Sequence, residues 1–225
     1  MTDATLITFE RAREDHRRWL ASGGETGARL DLPRLKLAGA DLQRAELRQA
    51  QLLAVDLTDV NLAEADLREA YLLESVWQRV DAARADLRQG SLYRVYMTGV
   101  SLAGARLDGA DLGKAELHAT DFSGASLRGA RLLRAQSERT GFAGADFSGA
   151  DLSGAALADA DLRAANLEGA DLRDAQLTGA RIAGLTGVPA AAEGLRCEWV
   201  DISTEPDSPA RVDAEALFRA LGLAA

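Results

Sequence analysis

The sequence predicts an all-β solenoid. Three observations carry this: an apolar column that returns every five residues, a column of small residues two places before it, and no helix or strand period over the same stretch. From Leu32 to Ile182 the apolar column has 31 members without a slip, 23 of them Leu, with Met97, Phe122, Phe142 and Phe147 among the rest. Ala fills 20 of the 31 small positions, with Val55, Val60, Val80, Val95 and Val100 among the exceptions. A period of five matches neither the 3.6 of a helix nor the 2 of a strand, so neither element buries both columns on one side. A coil that turns a corner every five residues does, and four such units close one square turn.

Stacked turns separated by about 4.8 Å bond through their backbones, so the column predicts about eight turns and a rod roughly 37 Å long. Each turn covers the next, as in any solenoid. Inner corners beside Leu leave room for little beyond Ala. Leu at Ala110 or Ala150 is therefore expected to overpack the core by about 1–3 kcal/mol or more.

Taken in order, residues 1–28 form an N-terminal cap helix and turn. Phe9, Ala12, His16, Trp19 and Leu20 share one stripe, and Gly23-Gly24 ends the helix. Residues 29–184 form the repeat coil. Within its column Trp77, Ala82 and Ser137 misfit, and Trp77 is expected to bulge because so narrow a core does not admit it. Residues 185–210 form a terminal turn and connector in which Leu195, Cys197, Trp199 and Ile202 alternate as an edge strand would. Residues 211–225 form a C-terminal helix capped by Asp213, whose apolar face includes Leu217, Phe218, Leu221 and Leu223. So short a helix wants a partner: either its own last turn or a second copy of the chain.

Composition narrows the function. Net charge is −9 and the pI about 4.8, which argues against direct nucleic-acid binding, since phosphate contacts need a concentrated basic surface. The acids are unevenly spread. Residues 140–175 hold seven, Asp146, Asp151, Asp159, Asp161, Glu168, Asp171 and Asp174, against Arg163 and Arg173, while residues 29–105 hold 11 acids to 10 bases. Five of the seven, Asp146, Asp151, Glu168, Asp171 and Asp174, fall on two adjoining faces. A competing account makes the repeat's Asp a turn-holding residue whose side chain bonds nearby backbone. A second candidate surface is an apolar patch of Leu53, Leu73, Tyr93 and Leu133, at one outward position in different turns.

No enzyme is expected, and no cofactor or metal. His16 is read as packing in the cap and His118 as an outward residue, and neither has a partner at zinc-ligand spacing. GxSxG, a P-loop and GxGxxG after a strand are all missing. Cys197 is alone, so no internal disulfide forms and a reducing cytoplasm fits. No basic-then-apolar leader opens the chain, and no apolar run is long enough to cross a membrane.

The tandem A(D/N)LXX unit, as in Ala40-Asp41-Leu42 and Ala110-Asp111-Leu112, resembles the pentapeptide-repeat family over about two thirds of the chain. The resemblance implies a right-handed quadrilateral β-helix. It also implies kinship with topoisomerase-protecting members, the Qnr-type and the albicidin and cystobactamid self-resistance proteins, which are similar to B-DNA in size, shape and charge and dimerise end to end. The register here runs without the loop insertion of Qnr-type members, so a loopless DNA mimic is the nearer analogue. The function so implied is binding to DNA gyrase or topoisomerase IV, with protection from a poison, by a C-terminal homodimer. The other reading is an adaptor solenoid that binds another protein through the Tyr93 ladder.

Overall fold

The computed structural model describes residues 3–204 and 210–223, with side chains from residue 8 onward. Its body is the expected square coil. Residues twenty apart pair in parallel from Asp31↔Gln51 to Arg181↔Asp201, so twenty residues make one turn. One column of rungs runs Asp31, Gln51, Tyr71, Ser91, Asp111, Arg131, Asp151, Asp171, Ala191.

The repeat's residue types explain the winding. The Leu N–H donates to the next turn, as from Leu42 to Asn61 O at 2.7 Å, and the small residue's N–H closes its own corner, as from Ala45 to Leu42 O at 3.0 Å. Both columns point inward and are buried almost without exception from Leu37 to Ile182. From Arg34 on, the residue before each small position lies at positive φ, as at Arg44 (φ 56°) and Gly149 (φ 66°), and this left-handed step turns each corner.

One face departs from this tight form. Strands β1 (Lys36–Ala38), β2 (Asp56–Thr58), β3 (Val76–Gln78), β4 (Tyr96–Thr98) and β5 (Glu116–His118) form a parallel five-stranded sheet in that order. The Val exceptions flank it: Val55 and Val60 bracket β2, Val95 and Val100 bracket β4, and Val80 follows β3. β-Branched side chains suit extended backbone; β5 is extended although Ala115 precedes it, and the face returns to tight turns at Gln136.

Trp77 does not bulge. It lies in β3 in register with Leu57 and Met97 and is fully buried. Its Nε1–H donates to Ser75 Oγ at 3.0 Å, and that hydroxyl donates to Leu72 O at 2.7 Å. Ala82, the small next member of the column, is fully buried as well. Ser137 precedes bulky Phe142, which stacks on Phe122 with ring centroids 5.1 Å apart.

Both ends are covered. Helix α1 (Asp3–Ala21) buries Phe9 and His16 at the N-terminal end of the coil, where Phe9 lines one small cavity with Leu37, Leu42 and Leu47. At the other end the wall winds past residue 184, where the sequence pattern lapses, because backbone rungs do not require an inward Leu. Asn166↔Thr186, Asp171↔Ala191 and Gln176↔Arg196 continue the columns. β6 (Trp199–Asp201) then pairs antiparallel with β7 (Arg211–Asp213), while Pro206 and Pro209 of the expected connector lie outside the described residues. Helix α2 (Ala214–Ala220) starts at Asp213, whose side chain accepts the Glu215 N–H at 3.1 Å, and packs on β6 and β7. Leu217 and Leu221 are fully buried within the chain, whereas Phe218 and Leu223 are half-buried.

Candidate partner-binding surfaces

The repeat's Asp performs the backbone task that its chemistry suggests. Asp146 accepts the Ser148 N–H at 3.0 Å, Asp151 that of Ser153 at 3.0 Å, Asp161 that of Arg163 at 3.2 Å and Asp171 that of Arg173 at 3.0 Å. The same bond recurs in the near-neutral turns at Asp41, Asp81 and Asp121. Turn holding therefore explains why Asp recurs, and leaves unexplained why uncompensated acids gather near the C-terminal end.

Ion pairs divide the seven acids of that region. Asp161 pairs with Arg163 (2.5 Å) and Arg181 (3.5 Å), Asp171 with Arg173, Asp146 with Arg128 (3.7 Å) and Asp159 with Arg139 (3.9 Å). Burial opposes ionisation of Asp161, yet the Arg163 side chain and N–H and nearby Arg181 hold its carboxyl below the usual range. Burial likewise opposes ionisation of Asp146, and the Ser148 hydroxyl and N–H, Arg128 and Asn166 outweigh it. At Asp171 the Arg173 hydrogen bond is the main cause of a lowered pKa. Asp151, Glu168 and Asp174 have no ion-pair partner among the described residues. Glu168 accepts the Val188 N–H at 2.9 Å, and Asp151 stacks directly on Asp171.

The ladder places these groups as the register requires. Asp151, Asp171 and Asp174 share one face, and Asp146 and Glu168 lie on the face before it in chain order. Glycines at the adjoining corners, Gly149, Gly154 and Gly169, lie at positive φ and put no side chain between the carboxylates and solvent.

The apolar patch is a true ladder. Ala54 N–H donates to Leu73 O, Glu74 N–H to Tyr93 O, Arg94 N–H to Gly113 O and Lys114 N–H to Leu133 O, which sets Leu53, Leu73, Tyr93, Gly113 and Leu133 in consecutive rungs. Leu53 is 38% exposed, and Tyr71, on the same face, 39%. Gly113 interrupts the patch: a Cβ there would lie 3.1 Å from Tyr93 Cδ2, so the ring rests over the glycine and Leu133 stands apart. Arg94 and Lys114 flank the ring at 5.8 and 5.9 Å from its centroid.

Sequence reasoning missed one feature. Where the extended face ends after His118, Arg94, Lys114, Glu116, His118, Arg134 and Glu138 line an open depression of about 730 Å³. The flanking corners change from Val95 and Val100 around β4 to Ala115 and Thr120 around β5, a sequence signal that comes one turn before it. His118 is exposed there as expected, 3.6 Å from Glu116 and beside the Tyr96 ring. Among the described residues no cluster of His, Cys, Asp and Glu has metal-binding geometry, and no helix is long and apolar enough to cross a membrane.

Comparison with known proteins agrees with the fold. The sequence matches the description "Pentapeptide repeats" in eight copies, with stretches at residues 36–72, 61–99, 78–113, 96–132, 120–157 and 155–185. Among solved structures it is similar to a trypsin-treated form of QnrB1, a plasmid-mediated fluoroquinolone resistance protein, at 16% identity and a TM-score of 0.58, covering 76% of this chain and 92% of that one. It is also similar to HetL from the cyanobacterium Nostoc, involved in regulating heterocyst differentiation, at 28% identity and a TM-score of 0.45, covering 86% and 97%. A third is a pentapeptide repeat protein from the thylakoid lumen of Arabidopsis thaliana, at 24% identity and a TM-score of 0.24, covering 45% and 67%. No curated protein sequence matches significantly.

Proposed function

The chain belongs to the pentapeptide-repeat family, whose solenoid acts by presenting surface, and we propose that it is a DNA-mimicking binding protein that engages DNA gyrase or topoisomerase IV and protects it from a poison. One observation carries this reading: carboxylates on two adjoining faces near the C-terminal end, with Asp151, Glu168 and Asp174 left without ion-pair partners among the described residues. Such a surface attracts a basic DNA-binding saddle and speeds encounter with it in a salt-dependent way. Phe218 and Leu223, half-buried beside the self-capping Leu217 and Leu221, are the groups left to join two rods at this end, roughly doubling their length in a cytoplasmic homodimer.

The test is a gyrase supercoiling and cleavage assay, with and without a fluoroquinolone, albicidin or cystobactamid, across a salt series. Protection that fades with salt, and is lost in Asp151→Asn/Glu168→Gln/Asp174→Asn, supports the reading. No effect on gyrase or topoisomerase IV at micromolar protein overturns it. The adaptor reading has its own observation, the Leu53–Leu73–Tyr93 ladder, exposed at Leu53 and half-buried at Leu73 and Tyr93, since apolar groups gathered on a surface mark partner sites. On that reading Leu73→Ser/Tyr93→Ser abolishes partner binding and the acid variants leave it intact.

A further inference from the structure

The first corner of the coil is closed differently from the seven that follow it on its column, from Ala50 to Ala170. Ala50, Ala70, Gly90, Ala110, Ala130, Ala150 and Ala170 each donate their N–H to the carbonyl three residues earlier, at 2.8–3.1 Å. Leu30 occupies that place in the first turn, and its carbonyl accepts the Gln51 N–H at 2.8 Å as the ladder demands. Its own N–H donates instead to Nδ1 of His16, on helix α1, at 3.0 Å. The imidazole thus stands where a repeat carbonyl would be, and both His16 and Leu30 are buried.

We propose that His16 is an acid-labile latch: it substitutes for the missing corner carbonyl at the start of the ladder, and its protonation releases α1 from the N-terminal end of the rod. A carbonyl accepts a hydrogen bond at any pH. A neutral imidazole accepts only through its bare nitrogen, and protonation turns that nitrogen into a donor facing the Leu30 N–H. A buried N–H left without an acceptor and a buried imidazolium are both costly.

The surroundings set the sign. Burial depresses the His16 pKa below its ordinary 6.5 and Arg29 on the linker adds to this, while the Arg48 backbone carbonyl and Glu46 of the first turn oppose it. Nε2 itself is buried without a well-formed hydrogen bond. On α1, Asp15 pairs with Arg18 and Glu10 with Arg13, and the Trp19 ring stacks on the imidazole with centroids 5.7 Å apart. A lowered folded-state pKa means that the docked cap binds fewer protons than the released one. Its stability is full above pH 6.5 and falls as the pH drops toward the depressed value.

The linker transmits the change. Ala28 N–H donates to Asp15 O at 3.3 Å, and a Cβ on Gly27 would lie 2.3 Å from that oxygen, so α1 and residues 27–30 move apart only together. Release uncovers the first turn and its unpaired edge.

Hydrogen exchange between pH 8 and pH 5, corrected for intrinsic rates, reads the latch directly. The opening constant of the Leu30 amide and the α1 amides should rise by up to about tenfold per pH unit below 6.5, with rungs 101–180 unchanged. His16→Gln keeps an acceptor that does not titrate, so its Leu30 protection should be flat with pH. Should that variant fail to dock its cap, the His16 ring proton of the natural chain, followed by NMR, gives the pKa itself. Flat Leu30 protection in the natural chain, a loss shared equally by all rungs, or a His16 pKa at or above 6.5 overturns the proposal.

Discussion

The two ends of the rod turn their corners at the same positive φ with different residues. Of the thirteen corners from Arg34 to Arg94, only Gly39 is glycine, whereas eleven of the eighteen from Gly99 to Gly184 are. A residue with a Cβ in this left-handed conformation costs roughly 1–2 kcal/mol relative to glycine. The N-terminal turns accept that cost many times over, and their corner side chains reach along the rod into ion pairs between turns: Arg44–Glu64–Arg84 at 2.8 and 2.9 Å, Asp59–Arg79 at 2.6 Å. Exposed pairs of this kind return little stability. Their effect is on the surface, which they make neutral and cover with paired side chains. The C-terminal turns omit most of those side chains, so the carboxylates there, partly buried at Asp146, Asp151, Asp161 and Asp171, face fewer basic groups. One backbone thus carries two surfaces, and the corner residue chooses between them.

The cores of the two ends also differ, which gives the largest expected effect. The N-terminal turns bury Trp77 completely, and its Nε1–H is bonded to Ser75. Trp77→Ala should therefore cost about 3–5 kcal/mol in urea unfolding. Trp77→Leu/Ala82→Leu, which restores the ordinary column, should recover much of that. A loss below about 1 kcal/mol for Trp77→Ala would mean that the indole is not packed as described.

Next in size is the corner column of the C-terminal turns, where Ala is nearly unbroken. Ala150→Leu should cost about 1–3 kcal/mol or more by overpacking, whereas Val60→Leu, at a corner beside the extended face that already holds a larger side chain, should cost less. Equal costs at the two sites would remove the contrast between these corners.

The period-five column made the solenoid, its register, both faces of acids and the apolar ladder readable before any coordinates, because backbone pairing every twenty residues leaves a side chain's face no freedom. Other features depended on pairs of exceptions. Trp77 looked unfit alone and is buried with its Nε1–H on Ser75, and the Val corners flank strands only where they bracket one face. The last turn has Gly187, Ala192 and Cys197 where the column has Leu, so residues 185–201 could not be read as coil. Partnering was the least legible part of the acidic surface. Arg128, Arg139 and Arg181 lie outside residues 140–175 in sequence and reach Asp146, Asp159 and Asp161 from adjoining turns, so a count of charge by segment overstates the field.

The smallest predicted effect bears most directly on function. A Cβ added at Gly149 has nothing within 4 Å, and its φ is 66°, so Gly149→Ala isolates the backbone cost from packing. Left-handed strain of roughly 1–2 kcal/mol, less the roughly 0.4–1 kcal/mol gained by restricting the unfolded chain, leaves a loss of about 1 kcal/mol. Ala54→Gly, at φ 54° in the N-terminal turns, should shift stability by a similar or smaller amount in the opposite direction. If both hold, glycine is the stable choice for these corners and the charged N-terminal corners are the departure that needs a reason. If Gly149→Ala costs nothing, strain does not explain the glycine beside Asp146 and Asp151. Its lack of a side chain does, and Gly149→Arg should then weaken binding of a basic partner while leaving the melting temperature unchanged.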